Sequence, residues 1–245
     1  MRIFVLLPLL VVLSGCSKEP ILKYEIKGNT VTITDCDESA SGKLVIPAKI
    51  EGNPVTSIGD GAFSWCRRLT TIEVGEGNVN FTEVNGVLFN AEKTVLLTYP
   101  AGKKGANYTI PDGVTSIGIS AFTNSQFLRS ITIPDSVTSI GVRAFNGSGL
   151  TSITIPDSVT SIGVQTFEGC YRLTSITIPD SVTSIGSVAF NICRNLTTVT
   201  FLGDAPKAGE EVFNGSTPTI YRKPEAKGWG ETFGGRPVKL ISEKP

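Results

Sequence analysis

Aspartate recurs at nearly equal spacing in the middle of the sequence, and carboxylates held in register could bind calcium. The four residues are Asp112, Asp135, Asp157 and Asp180. Each follows a proline, and Pro-Asp is typical of a tight turn, which already explains the aspartate. No second acidic column completes a coordination shell or supplies the partner that a catalytic carboxylate pair needs. The spacing therefore favours a repeated turn over a metal or catalytic site.

Histidine is absent from all 245 residues. It is the usual general base near neutral pH and the commonest metal ligand, so its absence excludes Ser-His-Asp, Cys-His and His-zinc chemistry. The sequence also lacks a phosphate-binding loop. Lys and Arg number 22 and so do Asp and Glu, so no net field draws the protein to nucleic acid. We expect no catalytic residue, no metal, no cofactor and no nucleic-acid partner.

Three cysteines, Cys66, Cys170 and Cys193, each lie three residues after a phenylalanine. Serine takes the same position elsewhere, at Ser125, Ser148 and Ser216. Small residues that interchange in this way indicate a packing position. A disulfide between Cys170 and Cys193 remains an alternative in an exported protein, provided that their Cα atoms approach within about 7 Å.

An internal repeat must position these residues. The string SITIPDSVTSIG begins at Ser130, Ser152 and Ser175, which gives a period near 23 residues and predicts a solenoid. Apolar side chains recur at fixed places in each copy, and no copy can bury them alone, so stacking must create the core. One phenylalanine per copy is predicted at an equivalent core site: Phe63, Phe122, Phe145, Phe167, Phe190 and Phe213. Of these, Phe122, Phe145, Phe167 and Phe190 are predicted to line one internal column.

The motif IPDSVTSIG, the ending Ala189-Phe190-Asn-Ile-Cys193 and the period together resemble the BspA-like leucine-rich-repeat family of bacterial surface proteins. The resemblance covers roughly residues 40–245. It implies a leucine-rich-repeat solenoid: a right-handed α/β-type superhelix, mostly β with short helical turns, built from about 23-residue repeats with terminal caps. The segment from Val84–Asn90 through Tyr99-Pro-Ala-Gly102 also resembles the hairpin-bearing insertion common in that family.

We expect one solenoid domain over residues 21–245. The ends of a stack would otherwise expose apolar side chains and strand edges, so caps are predicted over residues 21–45 and 202–245. Trp229 is expected to pack within the second cap. A hairpin-type insertion is predicted over residues 75–107, where it interrupts the stack without ending it.

Residues 1–15 are typical of a lipoprotein signal peptide, with a positive start and a short apolar run. Leu13-Ser14-Gly15-Cys16 resembles the bacterial lipobox, which implies lipid attachment at Cys16 and a membrane anchor. Residues 16–20 would form the tether. Within it, Ser17-Lys18-Glu19 fits equally a signal for export to the outer surface and a plain solvated linker. We therefore expect an exported protein, lipid-anchored to the bacterial outer membrane, with surface display left open.

Two surfaces are candidates for binding. The first is a grid of hydroxyls expected on the outer face of the strands: Ser130, Thr132, Ser152, Thr154, Ser175, Thr177, Thr198 and Thr200. Such a grid could hydrogen-bond a glycan, and it also resembles an ice-binding sheet, but β-branched threonine is favoured on any exposed strand. The second consists of variable loops near the phenylalanines: Trp65, Arg67, Arg68, Phe127, Tyr171, Arg172 and Arg194. Trp, Tyr and Arg are typical interface anchors, although ordinary surface variation also explains them.

The sequence favours a non-catalytic adhesion or recognition module that binds an unknown protein or glycan through its repeat surface. The alternative is a structural or accessory scaffold lipoprotein of the cell envelope. The two differ in where the domain sits and in whether it has a ligand. The identity of that ligand is not encoded in any motif of the sequence.

Overall fold

The computed structural model describes residues 22–244, which form a mostly β solenoid of about eight coils roughly 23 residues apart. This confirms the predicted fold. The signal peptide, Cys16 and tether lie outside the described residues. The β-strands, numbered in chain order, are Leu22–Lys27 (β1), Thr30–Cys36 (β2), Ser41–Ile46 (β3), Lys49–Ile50 (β4), Asn53–Ile58 (β5), Arg68–Val74 (β6), Phe81–Val84 (β7), Val87–Asn90 (β8), Val95–Thr98 (β9), Asn107–Thr109 (β10), Ser116–Ile117 (β11), Ser130–Thr132 (β12), Ser139–Ile140 (β13), Ser161–Ile162 (β14), Ser175–Ile178 (β15), Ser184–Ile185 (β16), Thr198–Phe201 (β17), Lys207–Ala208 (β18), Thr219–Arg222 (β19), Thr232–Phe233 (β20) and Arg236–Leu240 (β21).

Parallel strands from successive coils form the first side of the solenoid. β10 pairs with β12, and β15, β17, β19 and β21 form one continuous parallel run. Ile176 lies opposite Val199, which lies opposite Ile220, so equivalent residues meet from coil to coil. In the coil before β15, this side is reduced to one isolated parallel bridge, in which Thr154 pairs with Thr177 of β15.

A second row of mostly shorter strands follows the first, and in the coils that have a Pro-Asp turn it comes after that turn. β9, β11 and β13 pair in parallel, and so do β14, β16 and β18. The isoleucines of these strands, such as Ile117 and Ile162, are buried, whereas the serines before them are less buried. This alternation is the one expected of a strand with a single face on the core.

Consecutive turns form the third side, where short helical turns were expected. Among residues 22–244 the only helix is a 3-10 turn over Ile241–Glu243. The reason is backbone conformation: Ser120 and Asn124 have φ values of 58° and 59°, and equivalent residues of later coils are also left-handed. This geometry aims backbone N–H groups at the next coil, so Phe122 N donates to Ala144 O at 2.7 Å instead of to its own turn.

The phenylalanines of the stacked coils form one internal column. Phe122 and Phe145 have ring centroids 5.2 Å apart, and the later neighbours in the column are 5.3 to 5.4 Å apart with rings within 15° of parallel. The rings of Phe122, Phe145, Phe167 and Phe190 are fully buried. Each ring inside the column therefore packs between the ring of the preceding coil and the ring of the following coil.

Phe63 is buried but does not join this column. It belongs to a separate N-terminal core that also contains Val31, Leu69 and Leu88. Tyr99 takes the end position instead, stacked on Phe122 with centroids 5.2 Å apart. The sequence between the first coil and Tyr99 causes the break, because it forms a β-meander, with β7 and β9 antiparallel to β8, instead of another turn bearing a phenylalanine.

Both ends of the described chain carry irregular strand pairs. At the N-terminal end, β1 and β2 form an antiparallel hairpin, and β2 continues in parallel with β5. At the other end, β19 pairs in parallel with β21, which pairs antiparallel with β20. Trp229 lies against Phe201 and Phe233, with centroids 4.9 and 5.2 Å away, and Phe201 is buried beneath them.

Candidate binding surface

The strand face, as we call the predicted hydroxyl grid on the first side of the solenoid, is largely accessible. Thr132, Ser152, Thr154, Ser175 and Thr177 are exposed. Two further members are half-buried, Ser130 and Thr198. Alternation along the strands places these hydroxyls outward because their neighbours, such as Ile176, fill the core. The exposed hydroxyls can donate and accept hydrogen bonds across a flat surface.

Thr200 was wrongly predicted to be an exposed member of this face. It is only 7% exposed. The C-terminal end of the chain covers it, and the Lys244 ammonium donates to Thr200 Oγ1 at 3.5 Å. The repeat pattern could not show this cover because it comes from 44 residues further along the chain.

The aromatic residues predicted in the variable loops are unusually accessible. Trp65, Phe127 and Tyr171 are 55%, 41% and 47% exposed. Each has a cation over its ring: Arg67 Cζ lies 5.0 Å from the Trp65 centroid, and Arg194 Cζ lies 5.9 Å from that of Tyr171. Arg194 comes from the coil after Tyr171, so the contact joins two coils. Such cation–π pairs hold large apolar rings at the surface.

Lys104 completes this set, and sequence reasoning missed it. Its Nζ lies 3.4 Å from the Phe127 ring centroid. Lys104 ends the insertion, and Gly102 N nearby donates to Leu69 O at 2.8 Å, which holds this segment beside the first coil. The period was the available signal, since Lys104 precedes Phe127 by one repeat length.

We call the exposed cations and aromatics of these loops the basic edge. Its members are Trp65, Arg67, Arg68, Lys104, Phe127, Tyr171, Arg172 and Arg194. The loops lead directly into the strands of the first side, so the basic edge borders the strand face in most coils but not in that of Phe145, whose loop over residues 147–150 is buried. Asn195 Nδ2 donates to Tyr171 O at 2.6 Å, and Arg129 Nη1 donates to Gly149 O at 3.2 Å, and these bonds tie neighbouring loops together.

The aspartate column borders the strand face on its opposite side. All four aspartates are exposed at turns, as in the coil where Val137 N donates to Pro134 O at 3.0 Å around Asp135. Ser136 Oγ donates to Val114 O of the preceding coil at 2.7 Å, which fixes the turn to its neighbour. Within residues 22–244, no three His, Cys, Asp or Glu side chains lie close enough to hold a metal ion.

Three of the cysteine and serine positions donate to the same kind of acceptor, the phenylalanine carbonyl of the preceding coil. Cys170 Sγ donates to Phe145 O at 3.1 Å and Cys193 Sγ to Phe167 O at 3.0 Å. Ser216 Oγ makes the same bond to Phe190 O at 2.6 Å. Cys170 and Cys193 are free thiols, so no disulfide joins them. Burial raises the pKa of Cys170 to about 11, and it raises that of Cys193 as well.

Cys66 occupies this position in the first coil but has a different environment. It lies beside Cys36, which sequence reasoning did not consider because Cys36 falls outside the repeat. The sulfurs of both residues approach Asp37 O, at 3.6 Å from Cys66 and 3.8 Å from Cys36. A hydrogen bond between the two thiols raises the pKa of Cys36 and lowers that of Cys66.

The fold and its surface define a repeat protein of the leucine-rich type, a class whose outward-facing residues are free to vary for recognition. A family model for the BspA type leucine-rich repeat region matches residues 43–104 and 101–219 with six copies. The chain therefore belongs to the BspA-type leucine-rich-repeat family. Proteins of this kind are typically non-catalytic binding modules.

Three solved structures share the fold. A leucine-rich repeat protein from Eubacterium ventriosum is 27% identical, with a TM-score of 0.58 over 73% of this chain and 59% of that one. A leucine-rich cell surface protein from Faecalibacterium prausnitzii is 26% identical, with a TM-score of 0.62 over 77% and 52%. The pneumococcal vaccine antigen PcpA is 23% identical, with a TM-score of 0.66 over 83% and 51%.

The chain thus spans between half and three-fifths of the length of these neighbours. No curated protein sequence matches it. The bacterial surface family and the neighbour described as a cell surface protein suggest an exported protein. None of the helices within residues 22–244 has the length and apolar character needed to cross a membrane.

Proposed function

We propose that this protein is an exported, lipid-anchored and non-catalytic adhesion module of the bacterial cell envelope. It binds a protein or glycan ligand through the strand face and the basic edge. One observation carries the proposal: the strand face is exposed over successive coils and the basic edge lies beside it in several of them, while the interior is filled by the phenylalanine column. A solenoid of this kind offers an extended contact area and encloses no reaction chamber.

Lipid attachment is proposed at Cys16, supported by the sequence Leu13-Ser14-Gly15-Cys16. Labelling cells with a clickable fatty acid should mark the wild-type protein and leave Cys16→Ser unmarked. Protease added to intact cells should then remove the domain if it is displayed outward. Protection of the domain in intact cells, with digestion after lysis, would instead support an inward-facing scaffold.

Ligand binding is tested with the purified chain on an array of glycans and matrix proteins. We expect at least one ligand whose signal falls when strand-face hydroxyls are removed by Thr154→Ala and Thr177→Ala, or when cations of the basic edge are removed. A matched variant, Thr115→Ala with Thr138→Ala, removes two exposed threonines from another side. Equal loss in both variants, or no ligand across the array, would contradict the proposal.

A further inference from the structure

Within residues 22–244, the cations of the basic edge form no ion pair with a carboxylate. Arg67, Arg68, Lys104, Arg172 and Arg194 are all exposed. The ion pairs among residues 22–244 lie elsewhere and join Lys23 to Asp35, Lys27 to Glu25 and Lys43 to Glu73. The loop segments that form the edge, 64–68, 102–104, 125–129, 169–173 and 192–196, contain no Asp or Glu. A chain with no net charge thus has one uncompensated positive border.

The same border exposes the rings of Trp65, Phe127 and Tyr171, each beside a cation. Aromatic residues and arginines are enriched at binding interfaces, so exposed rings beside cations indicate a contact surface. A ligand that offers both anionic groups and apolar faces would use the cations and the rings together. The exposed hydroxyls of the adjoining strand face add hydrogen-bonding groups for a ligand rich in hydroxyls.

We propose that the basic edge binds an anionic polysaccharide, with its sulfate or carboxylate groups on the arginines and its sugar rings against Trp65, Phe127 and Tyr171. The proposal rests on the proposed binding function and names the ligand class. Guanidinium groups hydrogen-bond two oxygens of a sulfate or carboxylate at once. Because members of the edge lie on several coils along the solenoid axis, a charged polymer can engage more than one coil, which multiplies weak contacts.

An acidic polypeptide is the alternative ligand, and the structure favours it less. Extended peptides usually bind by adding a strand to a free sheet edge or by filling an apolar groove. The strands that adjoin Tyr171 and Arg194 are not free: β17, for example, is hydrogen-bonded to β15 on one side and to β19 on the other. The rings of the basic edge, moreover, are exposed at the surface.

The test measures the affinity of the purified chain for a sulfated oligosaccharide, a polyuronate, neutral dextran and polyglutamate at two salt concentrations. We expect binding to an anionic polysaccharide, none to dextran, and weaker binding at higher salt because the contacts are ionic. The variant Arg67→Ser/Arg172→Ser/Arg194→Ser should lower the affinity at least about tenfold, as expected for residues at the centre of a contact.

A matched control, Lys49→Ser/Lys207→Ser/Lys227→Ser, removes the same charge from exposed positions outside the edge and should bind like the wild type. Trp65→Ala/Tyr171→Ala retains every charge and should still lose affinity for the polysaccharide. If the edge variant and the control variant lost the same affinity for the anionic polysaccharide, the inference would be overturned. It would also be overturned if the wild type bound polyglutamate as tightly as the polysaccharide and the aromatic variant bound the polysaccharide like the wild type.

Failure of this inference is distinguishable from failure of the proposed function. A protein ligand found on the array, together with no binding to either anionic polysaccharide, would overturn the ligand class and leave the adhesion module intact. Protection of the domain from protease in intact cells would overturn the adhesion module itself. Thermal melting of each variant confirms that a lost signal is not caused by unfolding.

Discussion

The stacked coils and the first coil use the same sequence motif but pack differently. In the stacked coils, Phe145 lies between parallel rings 5.2 and 5.4 Å away. In the first coil, no ring of the described residues is stacked on Phe63, and a small cavity lies beside it, lined also by Ser64, Tyr99 and Ser120. The contrast shows that the phenylalanine of the motif is closely packed only where an adjacent coil stacks another ring on it.

The largest effect is expected for the phenylalanine column. Phe145→Ala should lower the free energy of unfolding by about 3–5 kcal/mol, because the neighbouring rings lose their contact and a cavity remains. Phe63→Ala should cost less, since Phe63 is 4% exposed and already borders a cavity. Chemical denaturation measures both variants. Equal costs would show that stacking adds nothing to burial at this position.

A second contrast concerns the glycine that ends the second strand of each coil. A Cβ atom added at Gly186 would lie 2.5 Å from Val164 N and 2.7 Å from Gly163 C of the preceding coil. At the equivalent Gly59, the nearest atom is Ile33 O at 3.3 Å. Neither glycine has a positive φ, so the substitution tests packing alone.

We therefore expect Gly186→Ala to destabilise the protein by about 1–3 kcal/mol, the usual cost of overpacking. Gly59→Ala should be milder, because the clash is smaller and meets a looser coil. Thermal melts of the two variants provide the comparison. A lower melting temperature for Gly59→Ala than for Gly186→Ala would mean that the first coil is the more tightly packed of the two regions.

The sequence predicts the stacked coils well because identical residues recur with a fixed period, and a repeat that stacks on itself must place them identically. It did not predict Tyr99 at the end of the column, although Tyr99 precedes Phe122 by one repeat length, because a tyrosine replaces the phenylalanine of the motif there. The sequence also does not predict which residues have a left-handed backbone. Val188, for example, has a φ of 52°, although valine strongly disfavours that region. Hydrogen bonds between coils, such as Val188 N to Glu210 O at 2.9 Å, impose it.

The candidate site was predicted in part for the same reason. Exposed hydroxyls follow from strand alternation, and the aromatic and arginine residues follow from variation between copies. Contacts between different coils do not follow from either pattern. Arg194 over Tyr171 and Lys104 over Phe127 depend on side chains from separate coils meeting at one border.

A third contrast is between the Cys170 thiol in the folded protein and the same thiol in the unfolded chain, which ionise at different pH. Burial raises the pKa of Cys170 to about 11 in the folded protein, and a hydrogen bond with Ser148 opposes this only partly. A thiol in the unfolded chain ionises near pH 9. The unfolded state therefore loses its proton first, so this contribution to stability is complete below about pH 9 and is lost as the pH rises toward 11.

Between pH 8 and pH 10, the Cys170 contribution should fall by roughly 1.4 kcal/mol, which corresponds to one pKa unit. Cys170→Ser removes the thiol and retains a hydroxyl, as at Ser216, so its stability should decline less over this range. The difference between the two pH profiles isolates Cys170 from lysines and tyrosines that titrate nearby. Parallel profiles would show that the Cys170 thiol is not desolvated.

The smallest effect is expected at the end of the column, where Tyr99 replaces a phenylalanine and Tyr108 of β10 packs beside it. The Tyr108 ring packs 5.0 Å from Tyr99 and 6.0 Å from Phe122. Its hydroxyl is buried without a hydrogen-bond partner among the described residues, and burial raises its pKa. An unsatisfied buried hydroxyl costs free energy that a phenylalanine would not.

Tyr108→Phe should therefore increase the free energy of unfolding by about 1 kcal/mol or less, because the ring contacts remain and the unpaired hydroxyl is removed. Tyr171→Phe is the matched control, since Tyr171 is 47% exposed and its hydroxyl has no comparable desolvation cost. Urea denaturation resolves the difference between the two. A loss of stability in Tyr108→Phe would mean that the Tyr108 hydroxyl is hydrogen-bonded in solution. The end of the column would then carry no free-energy cost from an unpaired polar group.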